Sequence, residues 1–189
     1  MADEQALTHT PAKGGWKPGD RVPDLHSMIR VDHAGEYGAV RIYDGQLAVT
    51  GRGRARDEIR RMAEQEKRHL AEFDDLVRAR RVRPTVLQPL WHLTGFALGA
   101  ATALLGTRAA MACTVGVEEV IDEHYCAQAE RLGDNEPALR ERILAFRADE
   151  LRHRDAGLAH GAAEGLGFEV VFAVARTGSR LAIWLSTRF

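Results

Sequence analysis

The sequence predicts an all-α protein in which four helices form a bundle and two more helices lie against it. Apolar residues recur at helical spacing along most of the chain, and no stretch alternates with the period of two that marks a strand. Two Glu-x-x-His motifs, at 66–69 and 150–153, lie in segments with this helical pattern. In one class of four-helix bundle, two such motifs and one glutamate from each of the other two helices build a di-metal site.

Residues 1–26 are polar and carry proline and glycine at short intervals, which is typical of an irregular or disordered leader. They show no apolar stretch after a basic start, so we expect no secretory signal. Residues 27–189 have the length of one domain with a sizeable core. The predicted organisation is a polar leader followed by a single helical domain.

Six helices are predicted from the apolar pattern and from the prolines and glycines that separate its segments. They span about 27–49, 55–81, 84–107, 108–132, 137–163 and 168–189. Ser27 is the expected N-cap of the first helix. Gly35 and Gly38 flank Glu36 in the same helix, and glycines there allow a partner helix, a metal or a substrate to come close.

The third predicted helix, 84–107, contains no charged residue. Its length approaches that of a membrane span, but two prolines, three glycines and the polar side chains of Gln88 and His92 interrupt it. Three alternatives therefore remain open: a helix that covers the bundle, a helix that lies in one leaflet of a membrane, and a true span. The last predicted helix, 168–189, is basic and amphipathic, so it either lies on an anionic membrane surface or packs on the bundle.

The positions of two further glutamates support a metal-binding role for the two Glu-x-x-His motifs. On a helix the glutamate and the histidine three residues later lie on one face, and their oxygen and nitrogen atoms suit iron, manganese or zinc. Glu36 precedes Glu66 by 30 residues, and Glu118 precedes Glu150 by 32. Each gap fits the rest of one helix, a short turn and part of an antiparallel second helix. The predicted metal ligands are Glu36, Glu66, His69, Glu118, Glu150 and His153.

Two tyrosines repeat with the same spacing. Tyr43 follows Glu36 by seven residues, and Tyr125 follows Glu118 by seven. Seven residues make two helical turns, so each tyrosine shares a face with its glutamate. The chain therefore contains a weak internal repeat, and the repeated residues are of types that can bind a metal. Tyr43 and Tyr125 are interpreted either as a relay for electrons or protons or as packing near the site.

Composition excludes several classes of function. The net charge is −1 and the isoelectric point is about 6.7, so no overall basic field points to nucleic acid. The chain has no glycine-rich nucleotide-binding loop of the Rossmann or phosphate-loop kind, and no Gly-x-Ser-x-Gly elbow. No residue is therefore assigned to an organic cofactor, and if a nicotinamide cofactor is used, the sequence does not show where it binds.

Four strings of the sequence resemble the di-iron demethoxyubiquinone hydroxylase family of ubiquinone biosynthesis, and the resemblance covers about 27–189. These strings are IRVDHAGEYGA at 29–39, RVRPT at 81–85, GFALGA at 95–100 and MACTV at 111–115. The resemblance implies a ferritin-like fold, two iron ions that react with O₂ in the ferrous state, and hydroxylation of the demethoxyubiquinol ring. Carried over position by position, the family's iron ligands fall on the six residues that the spacing argument selects.

The resemblance also implies how the ligands are shared and where the protein works. Glu66 and Glu150 would bridge the two irons, with Glu36 and His69 on one and Glu118 and His153 on the other. The expected partners are demethoxyubiquinol, O₂, a membrane surface, a lipid-presenting protein and a second copy of the chain. The expected location is the cytoplasmic face of the cell membrane, or the matrix face of the inner mitochondrial membrane in a eukaryote.

Three other classes of function remain as alternatives. A ferritin-like protein for iron storage or ferroxidase activity would need an outer surface built for assembly rather than an uncharged segment at 84–107. A radical subunit of the ribonucleotide-reductase type usually has a longer chain. In a non-catalytic, membrane-associated helical protein, the carboxylates would be surface groups and no iron would bind.

Overall fold

The computed structural model describes residues 24–164 and 167–189. Within these residues it contains six α-helices, one short 3-10 helix and no strand, which confirms the all-α prediction. The α-helices are α1 (Leu25–Val49), α2 (Arg54–Ala79), α3 (Gln88–Leu104), α4 (Thr107–Leu132), α5 (Pro137–Ala159) and α6 (Phe168–Ser186). The 3-10 helix, Ala162–Glu164, follows α5.

The first helix begins two residues earlier than predicted, and its cap is not Ser27. Asp24 is the N-cap, and its side chain accepts a hydrogen bond from the Ser27 backbone N–H at 3.1 Å. The Ser27 hydroxyl donates instead to the carbonyl oxygen of Thr187, near the other end of the chain, at 3.0 Å. The remainder of the predicted leader, residues 1–23, lies outside the described residues.

Helices α1, α2, α4 and α5 form the bundle as two antiparallel pairs, α1 with α2 and α4 with α5. The connections are short, at 50–53 and 133–136, and short connections place consecutive helices side by side in opposite directions. Two apolar clusters fill the interior. On α2, Ile59 and Met62 belong to one cluster, whereas Phe73 and Leu76 belong to the other. The stretch between them, which contains the motif at 66–69, therefore lies in the middle of the bundle.

Helices α3 and α6 lie against the bundle, and each packs closely on one bundle helix. A Cβ atom on Gly99 of α3 would lie 1.9 Å from the carbonyl oxygen of Ile42 on α1. In the same way, a Cβ atom on Gly116 of α4 would lie 2.8 Å from the carbonyl oxygen of Phe172 on α6. These crossings require glycine because the two backbones are in contact.

The two glycines next to Glu36, Gly35 and Gly38, do not mark a close helix crossing, which was one of the alternatives predicted for them. A Cβ atom on Gly35 would make ordinary contact with Ile121 at 3.8 Å, and one on Gly38 would meet nothing within 4 Å. Neither glycine is required for a close helix crossing. Both instead border a cavity, which is described with the site below.

The uncharged segment forms α3, a helix of 17 residues that packs along α1. Its buried side includes Gly95, Gly99 and Thr102, whereas Leu93 and Leu104 on its other side are exposed. Among the helices of the described residues, none has both the length and the apolar character needed to cross a membrane.

Gly99→Ala should destabilise the fold by about 3 kcal/mol, because α1 and α3 must separate to accommodate the new methyl group. Gly38→Ala on α1 is the matched control. It should stabilise by about 0.5–1 kcal/mol, because its Cβ has free space and alanine is favoured over glycine in a helix. Urea unfolding followed by circular dichroism measures both free energies of unfolding. Similar effects of the two substitutions would contradict the close crossing.

Candidate metal centre

The six predicted ligands come together in the middle of the bundle. Helix α1 contributes one glutamate, α4 contributes one, and α2 and α5 each contribute a Glu-x-x-His pair. Each of the six side chains is almost completely buried, with at most 3% of its residue surface exposed. They are Glu36, Glu66, His69, Glu118, Glu150 and His153.

The ligand atoms form two overlapping groups, each small enough for one metal ion. Within each group all the ligand atoms lie within 4.8 Å of one another. One group consists of Glu36, Glu66, His69 and Glu150, and the other of Glu66, Glu118, Glu150 and His153. Glu66 and Glu150 belong to both groups because each pairs with a histidine three residues away and faces the opposite helix.

Both histidines direct Nδ1 toward the carboxylates. The Nδ1 atom of His69 lies 3.1 Å from Oε1 of Glu150 and 3.6 Å from Oε2 of Glu36. The Nδ1 atom of His153 lies 2.8 Å from Oε1 of Glu66 and 3.1 Å from Oε2 of Glu150. The donor set around the centre is therefore four carboxylates and two imidazole nitrogens.

Four carboxylates in one buried site repel each other, and the pKa shifts show how the charge is distributed. Burial, together with the charge of Glu150, raises the pKa of Glu66 and of Glu118 well above 4.5. Burial also raises the pKa of Glu150, but its contacts with His153 and His69 outweigh burial and lower the pKa to about 2.

The histidines balance part of this negative charge. Burial lowers the pKa of both, but the carboxylates in contact with them have the larger combined effect. They raise the pKa of His69 to about 11 and that of His153 to about 10. Protons on the histidines and on Glu66 and Glu118 can therefore neutralise the cluster, and divalent cations can do so in their place.

Several buried ligand atoms lie close to an oppositely charged neighbour without forming a hydrogen bond, which fits a metal site. Within the described residues, Oε2 of Glu36, Oε1 of Glu66, Nδ1 of His69 and Oε1 of Glu150 are buried and make no contact with hydrogen-bond geometry. Buried polar atoms of this kind are rare because each costs desolvation energy without compensation. Nitrogen and carboxylate donors together suit iron, manganese or zinc. The cluster therefore has the chemistry of a di-metal site.

Each histidine also contacts a group behind it, on its Nε2 side. Nε2 of His69 lies 3.0 Å from Oδ2 of Asp149, and Nε2 of His153 lies 3.3 Å from Oε1 of Gln65. Such contacts fix the orientation of a metal-binding imidazole. The sequence analysis missed both residues. The available signal was that each directly precedes the glutamate of a Glu-x-x-His motif.

The two tyrosines are buried and donate hydrogen bonds to the cluster, but each to the glutamate of the other half. The Tyr43 hydroxyl donates to Oε1 of Glu118 at 2.9 Å, and the Tyr125 hydroxyl donates to Oε1 of Glu36. Burial and the charges of the neighbouring carboxylates raise the pKa of both tyrosines well above 10, so they remain protonated donors. The predicted relay role stays a prediction.

A second polar network that the sequence analysis did not assign lies beside the centre. The carboxylate of Asp32 is buried and accepts hydrogen bonds from His124 at 3.0 Å and from Gln128 at 2.8 Å. His33 pairs with Asp74 at 2.9 Å. These contacts give His33 and His124 structural partners.

An apolar cavity of about 450 Å³ lies beside the centre, between α1, α3, α4 and α6. Among the described residues, its lining contains no charged side chain. On the bundle side the wall includes Gly35, next to Glu36 in sequence, and Val117, next to Glu118. On the outer side it includes Trp91 of α3, whose Nε1 donates to the Ser186 hydroxyl of α6 at 3.0 Å.

Comparisons with known proteins agree on one family. Residues 23–186 match the family model described as ubiquinone biosynthesis protein COQ7. The chain is 55% identical over 174 residues to the 3-demethoxyubiquinol 3-hydroxylase of Rhodospirillum rubrum, covering 90% of this chain and 82% of that one. It is 52% identical over 165 residues to the human protein named NADPH-dependent 3-demethoxyubiquinone 3-hydroxylase, mitochondrial, covering 85% and 76%. The yeast 5-demethoxyubiquinone hydroxylase, mitochondrial, is 38% identical over 181 residues, covering 87% and 78%.

Proposed function

Because the chain belongs to the family of the ubiquinone biosynthesis protein COQ7, we propose that it hydroxylates the ring of demethoxyubiquinol with O₂ at a carboxylate-bridged di-iron centre. The chain is a hydroxylating enzyme of ubiquinone biosynthesis, in keeping with relatives that are more than 50% identical to it. To this activity the proposal adds the identity of the metal, the number of metal ions and the residues that bind them.

One observation carries the di-iron proposal: the six buried ligand atoms divide into two groups that share Glu66 and Glu150. Two shared carboxylates would hold two metal ions close together, and the remaining glutamate and histidine of each group would complete the ligands of one ion. Because four of the six ligands are carboxylates, iron is favoured over metals that prefer sulfur. We assign Glu36 and His69 to one iron, and Glu118 and His153 to the other.

When bound, the two irons supply the activation of O₂, which the side chains of the protein lack. In the overall reaction a ring C–H bond is replaced by C–O–H, and the second oxygen atom leaves as water. This balance requires two electrons and two protons. The human relative is named as NADPH-dependent, so we propose a reduced nicotinamide as the ultimate source of the electrons.

The residues around the centre then have distinct tasks. Tyr43 and Tyr125 hold the terminal glutamates in place through their hydrogen bonds. A proton can also move along these hydrogen bonds between each hydroxyl group and its carboxylate, which is the relay role proposed for the two tyrosines. The apolar clusters above and below the centre exclude bulk water from it.

The cavity provides a place for a substrate with a long apolar tail. Its walls are uncharged, and it borders the segments of α1 and α4 that contain Glu36 and Glu118. Gly38 leaves open space there, so the ring of a quinol can lie close to α1. We propose that the tail occupies this cavity between α3 and α6.

The surface of α3 and α6 supports a position at a membrane, where such a substrate resides. Large apolar side chains are exposed on both helices, among them Leu93, Leu104, Val170 and Trp184. We propose a peripheral location on the membrane that contains ubiquinone. This is the cytoplasmic face of the cell membrane in a bacterium and the matrix face of the inner membrane in a mitochondrion, where the human relative is named as mitochondrial.

Replacing two exposed leucines of α3, Leu93→Glu with Leu104→Glu, should reduce binding to anionic lipid vesicles by more than tenfold. Each substitution removes an apolar side chain that would enter the lipid and adds a charge that it repels. Leu158→Glu on α5 is the matched control because Leu158 is also exposed but belongs to a bundle helix. Cosedimentation measures the bound fraction. If the double variant and Leu158→Glu bind the vesicles equally, these two leucines of α3 do not form the membrane contact.

The homodimer and the lipid-presenting partner remain predictions from the sequence. Sedimentation velocity of the purified chain, alone and with vesicles, distinguishes a monomer from a dimer. A single species of monomer mass at micromolar concentration would remove the homodimer from the proposal.

The experiment that tests the function is oxygen consumption by the iron-loaded protein, with product analysis, in the presence of demethoxyubiquinol and a reduced nicotinamide as the source of electrons. Consumption that depends on the quinol and yields the hydroxylated ring is the expected result. A ring analogue without the tail should show a higher KM because it cannot fill the apolar cavity. Iron oxidation that is independent of the quinol would favour a ferroxidase, the alternative that the ligand cluster alone also allows.

A further inference from the structure

The two metal positions have matching ligands but different surroundings. We call them the His69 position and the His153 position after the histidine that belongs to each. Both share Glu66 and Glu150, both have one terminal glutamate, and both terminal glutamates accept a hydrogen bond from a buried tyrosine. The ligand sets therefore give no reason for one position to bind a metal more tightly than the other.

The groups behind the histidines differ in charge. Nε2 of His69 faces a carboxylate oxygen of Asp149 at 3.0 Å, whereas Nε2 of His153 faces the amide oxygen of Gln65 at 3.3 Å. Arg152 pairs with the other oxygen of Asp149 and so helps to fix the carboxylate. The Arg152 side chain is 67% exposed, so water screens its charge.

A carboxylate that accepts the Nε2–H of an imidazole makes Nδ1 a stronger donor to a cation, and it adds a negative charge near the metal. A neutral amide orients the ring but adds no charge. The other neighbours of the two rings do not reproduce this difference. His69 stacks on Phe146 at 4.2 Å between centroids, and His153 meets the edge of Tyr43 at 6.2 Å.

We propose that the two positions bind divalent cations in a fixed order, with the His69 position first and about 10- to 100-fold tighter than the His153 position. Asp149 and Gln65 are the positioning residues that set this order. The inference rests on the proposed di-metal centre. It adds a difference in cation affinity between the two positions, which the repeated sequence motifs do not suggest.

The test is calorimetric titration of the metal-free protein with Co²⁺, in the wild type and in two variants of nearly unchanged shape. The wild type should show two binding events that differ about 10- to 100-fold in affinity. Asp149→Asn should weaken the tighter event by about that factor, so that the two events merge. Gln65→Glu should strengthen the weaker event until its affinity for Co²⁺ approaches that of the tighter event.

Anomalous diffraction at one equivalent of Co²⁺ identifies which position fills first. Cobalt at the His69 position is expected. Cobalt at the His153 position, or equal affinities in all three proteins, would overturn the order while leaving the di-metal centre intact. Absence of Co²⁺ binding by folded wild type would instead overturn the centre itself. If Asp149→Asn fails to fold, Gln65→Glu still tests the inference. An unchanged Co²⁺ affinity of the weaker event in that variant contradicts it.

Discussion

Glu150→Ala is expected to reduce hydroxylation by more than 100-fold and to reduce the iron bound per chain. Glu150 lies within reach of both histidines and belongs to both ligand groups, so its loss affects both metal positions at once. Loss of a group that only supports a ligand typically costs about 10- to 100-fold in metal affinity or activity, and loss of a shared ligand should cost more. Iron analysis after anaerobic loading and the quinol-dependent oxygen assay measure the two effects.

The controls separate loss of chemistry from loss of fold. Glu150→Gln preserves the shape of the side chain but removes the charge, so it should also lose iron while remaining helical by circular dichroism. Glu141→Ala changes an exposed glutamate on the same helix and should match the wild type in iron content and turnover. Normal turnover at normal iron content in Glu150→Ala would refute the assignment of this residue as a ligand.

Metal binding is expected to remove the loss of stability that the metal-free protein shows as the pH rises. In the metal-free protein the raised pKa values of His69 and His153 mean that their ion contacts stabilise the fold fully below pH 6.5. This contribution is lost as the pH rises through about 10 and 11. The raised pKa values of Glu66 and Glu118 act in the same direction, because above pH 4.5 these groups ionise more readily in the unfolded chain.

Glu150 acts in the opposite direction at acid pH. Its pKa is lowered to about 2, so its contribution is present above pH 4.5 and is lost as the pH falls toward 2. The cluster therefore favours maximal stability of the metal-free protein near pH 4.5, with a steeper loss above pH 6.5, where the histidines also contribute. From pH 6 to 8.5 its melting temperature should fall.

Ferrous iron should remove this decline because cations replace the protons. Binding at 100 times the dissociation constant adds about 2.7 kcal/mol per site, or about 5–10 °C in a domain of this size. The gain should grow with pH, since fewer protons compete for the ligands. Anaerobic scanning calorimetry at pH 6, 7 and 8.5, with chelator or with Fe²⁺, measures both curves. A metal-free melting temperature that rises over this range, or one that iron does not change, would contradict the charge assignment.

The local parts of the structure could be predicted from the sequence. The helical period of the apolar residues indicates six helices, and all six appear with boundaries within a few residues of those expected. Each Glu-x-x-His pair also needs only local information, because the pitch of one helix places the two side chains on one face. The spacing of 30 and 32 residues then brings the four contributing segments to the same level of the bundle.

The contacts between the two halves could not be predicted in this way. Spacing suggested that each tyrosine accompanies the glutamate of its own helix, yet Tyr43 bonds Glu118 and Tyr125 bonds Glu36. Sequence likewise identified Gly35 and Gly38 as sites of close approach, whereas the tight crossing between α1 and α3 occurs at Gly99. Both depend on how one helix is rotated and placed against another.

The sequence by itself therefore determined the helices, the fold class and the set of residues that can bind metal, because these follow from periodicity within single segments. The tertiary structure alone decided which oxygen faces which histidine, that a carboxylate supports His69 while an amide supports His153, and that an uncharged cavity lies beside the centre. The physical reason is that these features arise between helices distant in sequence. The relative position of these helices depends on many packing contacts together, and no short sequence pattern predicts their combined effect.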